Sequence, residues 1–350
     1  MKVLVTGGAG FIGSHVVEFY AEKGYEVVVY DNFLRASLLK QSQEASLYNW
    51  RYLKEKFGER VRLVEGDIRD FEKLSKEVED ANLVVHTAAQ VAVTTSLLDP
   101  KVDFEINALG TFNVLEAARK AKSNPTIIYC STNKVYGDNV NKIPVEPRDS
   151  RYVYADPRYQ QGIPEDYPVD LCEHTPYGCS KLAGELYVQD YARVYGLKTG
   201  VFRMSCIYGE RQMGAEDQGW LAWFTIALLT GREITIYGDG KQVRDVLYVK
   251  DLVEAYDLFF RSELTHEVFN IGGGPHNTLS LLELLKLLEE ITGLKAKVSF
   301  SDWRPGDQKV YISDISKIAN KLDWRPKVHP KEGVVKLTNW VQENKHLFPT

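Results

Sequence analysis

Residues 2–6 (KVLVT) form a short apolar run that ends in Thr6-Gly7-Gly8-Ala9-Gly10-Phe11-Ile12-Gly13, and residues 14–22 then carry helical spacing. No other feature restricts the fold as tightly. A strand that turns at once into a helix needs a residue without Cβ at the turn, which is Gly7. It needs another where the first helical N–H groups are to be approached closely, Gly10, and a third where helix lies against strand, Gly13. Residues 26–30 return as a second apolar strand, completing a βαβ unit. Further apolar runs at 61–65, 83–87, 127–130 and 198–203, separated by helical stretches such as 104–120 and 177–195, predict an α/β fold with a doubly wound parallel sheet.

Beyond about residue 209 the alternation changes. Helical stretches at 220–229 and 279–292 surround short strands at 234–237 and 296–299, which predicts a smaller C-terminal α/β lobe. The expected division is 1–209 for the main sheet domain, with 241–252 returning to it because 244–249 is again strand-like, and 210–350 mainly for the smaller lobe. Residues 144–176 are rich in Pro, Asp, Tyr and Arg, too long for an ordinary connection, and are expected to act as a lid.

A hydrophobic content of 44% with 26% charged residues is that of a folded globular chain. The formal net charge of -5 argues against a sequence-independent nucleic-acid binder, since phosphate-backbone binding rests on clustered Lys and Arg. Four cysteines without a CxxC pair fit neither a disulfide scaffold nor a zinc site, so reduced thiols and no metal are expected. No stretch approaches the length of apolar chain that spans a bilayer, and the opening residues lack the apolar core of a secretion signal; no membrane partner and a cytoplasmic location are expected.

A glycine turn at a helix N-terminus is suited to a pyrophosphate, because unpaired N–H groups and the helix dipole both favour an anion there. Asp31 closes the second strand, where a carboxylate accepts from an adenosine ribose and repels a 2′-phosphate, so NAD is expected rather than NADP. Arg35 stands nearby and tempers that preference. The adjoining Asn32 joins the candidate cofactor contacts, as do Phe11 and Ile12 of the turn. Gly66-Asp67-Ile68 offers a second acid near an adenine edge, or a solvated loop aspartate. Tyr177 and Lys181 stand four apart on one helical face, downstream of Ser131-Thr132-Asn133-Lys134-Val135-Tyr136-Gly137 at the end of a buried strand. An ammonium and a positively charged nicotinamide would both stabilise a tyrosinate, so Tyr177 is expected to have a lowered pKa and to serve as a base, with the Thr132 hydroxyl orienting the substrate.

TGGAGFIG, Asp31, GDI, HTAAQ, STNKVYG and PYGCSK, in this order, resemble the extended short-chain dehydrogenases of the nucleotide-sugar epimerase and dehydratase family, with its NAD-binding Rossmann sheet, over nearly the whole chain. The resemblance implies that Thr132, Tyr177 and Lys181 are catalytic. It implies that Ala88, Ala89 and Gln90, with Thr87, wall the nicotinamide ribose and diphosphate, and that Asn107 lies near the cofactor. Dehydratases of the family carry Asp-Glu after the catalytic Thr. This chain has Asn133-Lys134, so oxidation and reduction are expected without elimination, which is epimerisation. Asn133, Cys206, Tyr237, Arg244 and Arg304 are the candidate substrate contacts, Arg244 and Arg304 matching family positions that clamp diphosphate and ribose. Cys206 replaces the Asn of many 4-epimerases. The combination of STNKVYG, RMSCIYG and YGDGKQVRD is similar to 2-epimerases of CDP-linked hexoses, implying a CDP-sugar substrate, whereas a UDP-hexose 4-epimerase or a non-catalytic NAD-binding protein are the alternatives. The helices at 104–120 and 177–195 resemble those through which the family forms homodimers, and a homodimer or homotetramer is expected.

Overall fold

The computed structural model describes residues 1–38 and 42–348. Its strands are β1 (Lys2–Thr6), β2 (Glu26–Asp31), β3 (Val61–Glu65), β4 (Leu83–His86), β5 (Thr126–Thr132), β6 (Val145–Pro147), β7 (Tyr152–Tyr154), β8 (Thr199–Met204), β9 (Cys206–Tyr208), β10 (Glu233–Tyr237), β11 (Val243–Tyr248), β12 (His266–Ile271), β13 (Thr278–Ser280), β14 (Lys297–Ser301) and β15 (Val310–Tyr311). A seven-stranded sheet has the order β12-β8-β5-β4-β1-β2-β3, the order expected of a doubly wound fold, and β3, β2, β1, β4 and β5 pair in parallel. Its central strands are buried from end to end, as strands covered by helices on both faces must be. Leu4, Val28, Val84, Ile127 and Val201 of the strands pack with Val114 and Val188 of two covering helices.

The chain divides into two compact units. The first comprises residues 1–135, 175–203 and 253–269, and the second 136–174, 204–252 and 270–350. The run at 241–252 does not return to the main sheet as the sequence suggested. β11 instead pairs antiparallel with β13 and in parallel with β15 and β9 inside the second unit, and β12 is the strand that completes the large sheet. Strand-like periodicity in β11 reports burial, and burial is the same whichever sheet supplies the neighbours.

The segment expected to act as a lid is anchored, up to residue 174, within the second unit. β6 and β7 form an antiparallel hairpin. Arg151 grips Glu283 through Nε at 2.7 Å and Nη2 at 2.5 Å, Tyr152 Oη donates to Asp239 at 2.5 Å, and the Ile163 N–H donates to the Ile312 carbonyl at 2.7 Å. Opening it would break charge-assisted bonds along its length, so the segment is a fixed part of the second unit.

In the first unit a buried ion pair ties the helix Thr175–Tyr195 to the sheet. Arg203 of β8 donates to Glu185 at 2.6 Å, Ser131 of β5 donates to the other carboxylate oxygen at 2.6 Å, and both charged side chains are almost entirely removed from water. Taking away one partner leaves the other charge buried and uncompensated, which costs about 3–5 kcal/mol. We therefore expect Glu185→Leu to lower the thermal midpoint by roughly 10 °C, measured by differential scanning calorimetry. A fall of only a degree or two would mean that the pair carries little of this unit's stability.

Candidate active site

β1 ends at Thr6, and the chain turns so tightly that Gly7 has a φ of 68° and its N–H donates to Tyr30 of β2 at 2.8 Å. The Gly10 N–H donates to the Gly7 carbonyl, and a Cβ on Gly13 would run into that same carbonyl oxygen, so turn and helix are as close as backbones allow. The helix Phe11–Glu22 starts at Gly10 with no side chain capping it, which leaves its first N–H groups available to an anion. Asp31 accepts from the Ala9 N–H at 3.0 Å and the Phe33 N–H at 2.8 Å, one on each oxygen, and each oxygen keeps a lone pair for a ribose hydroxyl. This uncapped glycine cradle with a carboxylate beside it fits the pyrophosphate and ribose of NAD. Arg35 lies in the helix Leu34–Leu38, and burial draws its pKa down to about 10.

Other predicted cofactor contacts also brace their surroundings. Asp67 Oδ1 accepts from the Arg69 N–H and Nε, and Oδ2 accepts from Arg69 Nη2 and Asn32 Nδ2. The hydrogen bonds from Arg69 hold its pKa down. Ile68 is buried against Gly110. Asn107 sits in a π-helical turn, Glu105–Leu109, and exchanges two hydrogen bonds with the Gln90 backbone at 2.9 and 3.0 Å while donating to Ser180 at 3.1 Å. The Gln90 side chain donates to Asp103 at 2.8 Å. These residues fix the loop that contains Ala88 and Ala89, both half-buried, at the end of β4.

Thr132 ends β5, accepts from the Lys134 N–H at 3.2 Å and faces the side chain of Asn133 at 3.4 Å. The Tyr177 backbone N–H is anchored on Ser96 at 3.1 Å, and the Thr132 hydroxyl is close enough to its phenol to lower its pKa. Lys181, 4% exposed, donates to the Cys130 carbonyl at 2.6 Å. The structure thus brings Thr132, Tyr177 and Lys181 together at the end of β5. The neighbouring Ser131 is committed to Glu185 and cannot replace Thr132.

In the protein alone, burial sets the titration of Tyr177. Burial pushes its pKa up to about 12, the Thr132 hydroxyl pulls it down and Asp103 adds to the rise. Burial also draws Lys181 down to about 8. The desolvation cost exceeds the stabilisation that spacing alone suggested, and the protein by itself keeps the phenol protonated.

In the second unit Arg304 lies 3.6 Å from the Tyr237 ring centroid and pairs with Asp217 at 3.1 Å, while Tyr237 Oη donates to Glu216 at 2.9 Å. Arg244 donates to the carbonyls of Val243 at 2.9 Å and Gln308 at 2.6 Å and makes no ion pair among the described residues, so its charge is not neutralised. Cys206 stands opposite Val246 on the neighbouring strand and accepts from Trp220 Nε1 at 3.3 Å. Sequence reasoning did not single out His86 or Tyr129, which also approach the catalytic helix; the His in HTAAQ was the available signal.

The model of the NAD dependent epimerase/dehydratase family matches residues 3–272. The chain is 41% identical to CDP-paratose 2-epimerase of Salmonella typhi, over 97% of this chain and 99% of that one. Among solved structures it resembles UDP-glucose 4-epimerase of Thermotoga maritima with UDP-glucose, with a TM-score of 0.81 and 33% identity, covering 99% of this chain and 100% of that one. It also resembles UDP-glucose 4-epimerase of Thermus thermophilus in complex with NAD, with a TM-score of 0.77 and 33% identity over 97% and 98% of the two chains. Across the whole length, then, this chain is similar to enzymes that invert a sugar carbon.

The two adjacent hydroxyls differ in their partners, Ser131 bonding Glu185 and Thr132 the Lys134 N–H. Ser131→Ala is expected to lower the thermal midpoint with turnover kept within about threefold, and Thr132→Ala to keep the midpoint and lower kcat by about a hundredfold or more. Equal effects of the two substitutions on kcat would contradict this division.

Proposed function

This chain belongs to the NAD-dependent epimerase/dehydratase family, and we propose that it inverts C2 of a CDP-linked hexose. It is a nucleotide-sugar epimerase with NAD as its cofactor. The observation that carries the finer reading is the 41% identity, over almost all of both chains, to CDP-paratose 2-epimerase. CDP-paratose or CDP-glucose would be the substrate, giving CDP-tyvelose or CDP-mannose. Asn133 and Lys134 support inversion without loss of water, because neither side chain can serve as the carboxylic acid or carboxylate of an elimination.

The glycine turn, the open start of the helix Phe11–Glu22 and Asp31 would hold NAD. When bound, NAD supplies a reversible acceptor for a hydrogen with its electron pair. Tyr177 Oη takes the proton of the C2 hydroxyl and, once the 2-keto sugar has presented its other face, returns a proton to the same oxygen. Thr132 donates to or accepts from that oxygen throughout. Lys181, fixed on the Cys130 carbonyl, supplies the positive charge that makes a tyrosinate affordable in a buried setting, together with the charge on the oxidised nicotinamide. Arg244 and Arg304 would hold the substrate diphosphate, Arg304 exchanging Asp217 for phosphate. Cys206 and Tyr237 complete the substrate contacts.

A second reading, 4-epimerisation of a UDP-hexose, is favoured by the likeness to the Thermotoga maritima enzyme. Product analysis separates the two. Purified protein without added cofactor is expected to convert CDP-glucose to CDP-mannose, or CDP-paratose to CDP-tyvelose, as read by NMR. Conversion of UDP-galactose to UDP-glucose with both CDP-sugars untouched would replace the first reading by the second.

Exposed apolar side chains on the helices flanking the site, Phe104, Leu109, Leu186, Tyr187 and Val194, support self-association through this face. Light scattering should give the mass of a dimer or tetramer, and Leu186→Glu with Val194→Glu should reduce it to the monomer. A wild-type monomer would contradict the assignment.

A further inference from the structure

Three residues stand side by side across the strands that end at the site. Thr6 of β1 is in register with His86 of β4, and His86 with Tyr129 of β5. All three are buried. The row is joined edge to edge: Thr6 Oγ1 lies 2.7 Å from His86 Nδ1, and the His86 and Tyr129 rings stack at 5.9 Å and 28°. The hydrogen bonds assign the imidazole tautomer. Thr111 Oγ1 gives its proton to the Asn107 carbonyl at 2.6 Å, so His86 Nε2, 3.0 Å away, must donate to Thr111, leaving Nδ1 to accept from Thr6. Thr6 Oγ1 in turn accepts from the Ala88 N–H in the cofactor loop at 3.3 Å.

The far end of the row meets the catalytic helix twice. Tyr129 Oη donates to the Lys181 carbonyl at 2.9 Å, and the Lys181 ammonium lies 4.5 Å from the Tyr129 ring centroid. The approach depends on Gly184, where a Cβ would come within 2.7 Å of the Tyr129 hydroxyl. A cation removed from water and satisfied by one carbonyl gains from the negative face of a ring, and a ring fixed by a stacked, hydrogen-bonded neighbour offers that face in one orientation.

We propose that Tyr129 is a positioning residue for the reaction: its ring, held by the Thr6–His86 row, seats the Lys181 ammonium beside the base. This rests on the reading of Lys181 as the partner of Tyr177. It extends that reading by giving the sheet, and through Ala88 the cofactor loop, a direct mechanical hold on the catalytic charge. His86 suits the role because burial, assisted by the charge of Lys181, draws its pKa down to about 3, so it stays neutral and adds no repulsion. The charged and titratable groups facing Lys181 are Cys130 of β5, Asp103 just before the π-helical turn, Glu185 of its own helix and His86 of β4. Burial is the largest influence on Lys181, lowering it, and Cys130, Glu185 and Asp103 oppose that shift. The ring adds to this opposition, so weakening it must move the titration of Lys181 to lower pH.

The test replaces the ring's electron density with little change in its shape. Holoenzyme carrying lysine labelled with 13C at Cε is titrated by NMR as wild type, Tyr129→Phe and Tyr129→3,4,5-trifluorophenylalanine, with Lys181 identified by the resonance lost in Lys181→Arg. We expect Tyr129→Phe to stay within about half a pH unit of wild type and the fluorinated variant to titrate about one unit lower, the size of a desolvated cation–π contact. The alkaline limb of kcat should move in the same direction. An unchanged Lys181 midpoint in the fluorinated variant, or a Tyr129→Phe shift as large as the fluorinated one, would overturn the proposal. The NMR titration needs no substrate, so absence of turnover on CDP-hexoses would count against the proposed function and not against this seat.

Discussion

A buried ammonium has to be provided for, and the way this chain provides for Lys181 organises everything around it. Taken out of water, the group is drawn down to about 8, and it is held by the Cys130 carbonyl at 2.6 Å and the Tyr129 ring. Its carbonyl is held as well, by the Tyr129 hydroxyl. These contacts fix the helix Thr175–Tyr195 at its catalytic turn, and the Arg203–Glu185–Ser131 cluster fixes the next turn to β8 and β5. Ser131 is thereby taken by the cluster, and in the proposed reaction the substrate oxygen falls to Thr132 and Tyr177.

Parallel pairing does the rest of the gathering. Because β1, β4 and β5 run in one direction, the glycine turn after Thr6, the loop from Thr87 to Gln90 and the Thr132 hydroxyl all emerge at the same edge of the sheet. Ligands of doubly wound sheets bind at that edge for this reason. The π-helical turn around Asn107 then braces the middle loop through Gln90 and the catalytic helix through Ser180.

Much of this was legible in the residues. The spacing of Gly7, Gly10 and Gly13 announced the turn, and Asp31 stands where the end of β2 required it. Tyr177 and Lys181 share the helical face that i, i+4 spacing predicts. What the residues do not reveal is whatever depends on the partner. The ion pair of Asp67 with Arg69 and the burial of Tyr177 leave no local pattern, and β11 reads as a strand of the main sheet until its neighbours are known. The segment around Tyr152 lacks periodicity because tertiary bonds to Asp239 and Glu283 order it, and such bonds leave no local pattern. Tyr129 and His86 were hidden for a related reason: an aromatic residue in a buried strand looks like core, and only register shows that they form one row.

In the proposed reaction a single tyrosine base and bound NAD oxidise and restore one carbon of the sugar without exchange with solvent. The most direct measurement follows a CDP-hexose deuterated at C2 through many turnovers, with NMR reading both the position and the retention of the label. The C2-inverted product is expected to keep deuterium at C2, at the abundance of the starting sugar. Loss of the label to water with C2 inverted, which would indicate inversion by proton exchange, or inversion at another carbon with the C2 label undisturbed, would contradict it.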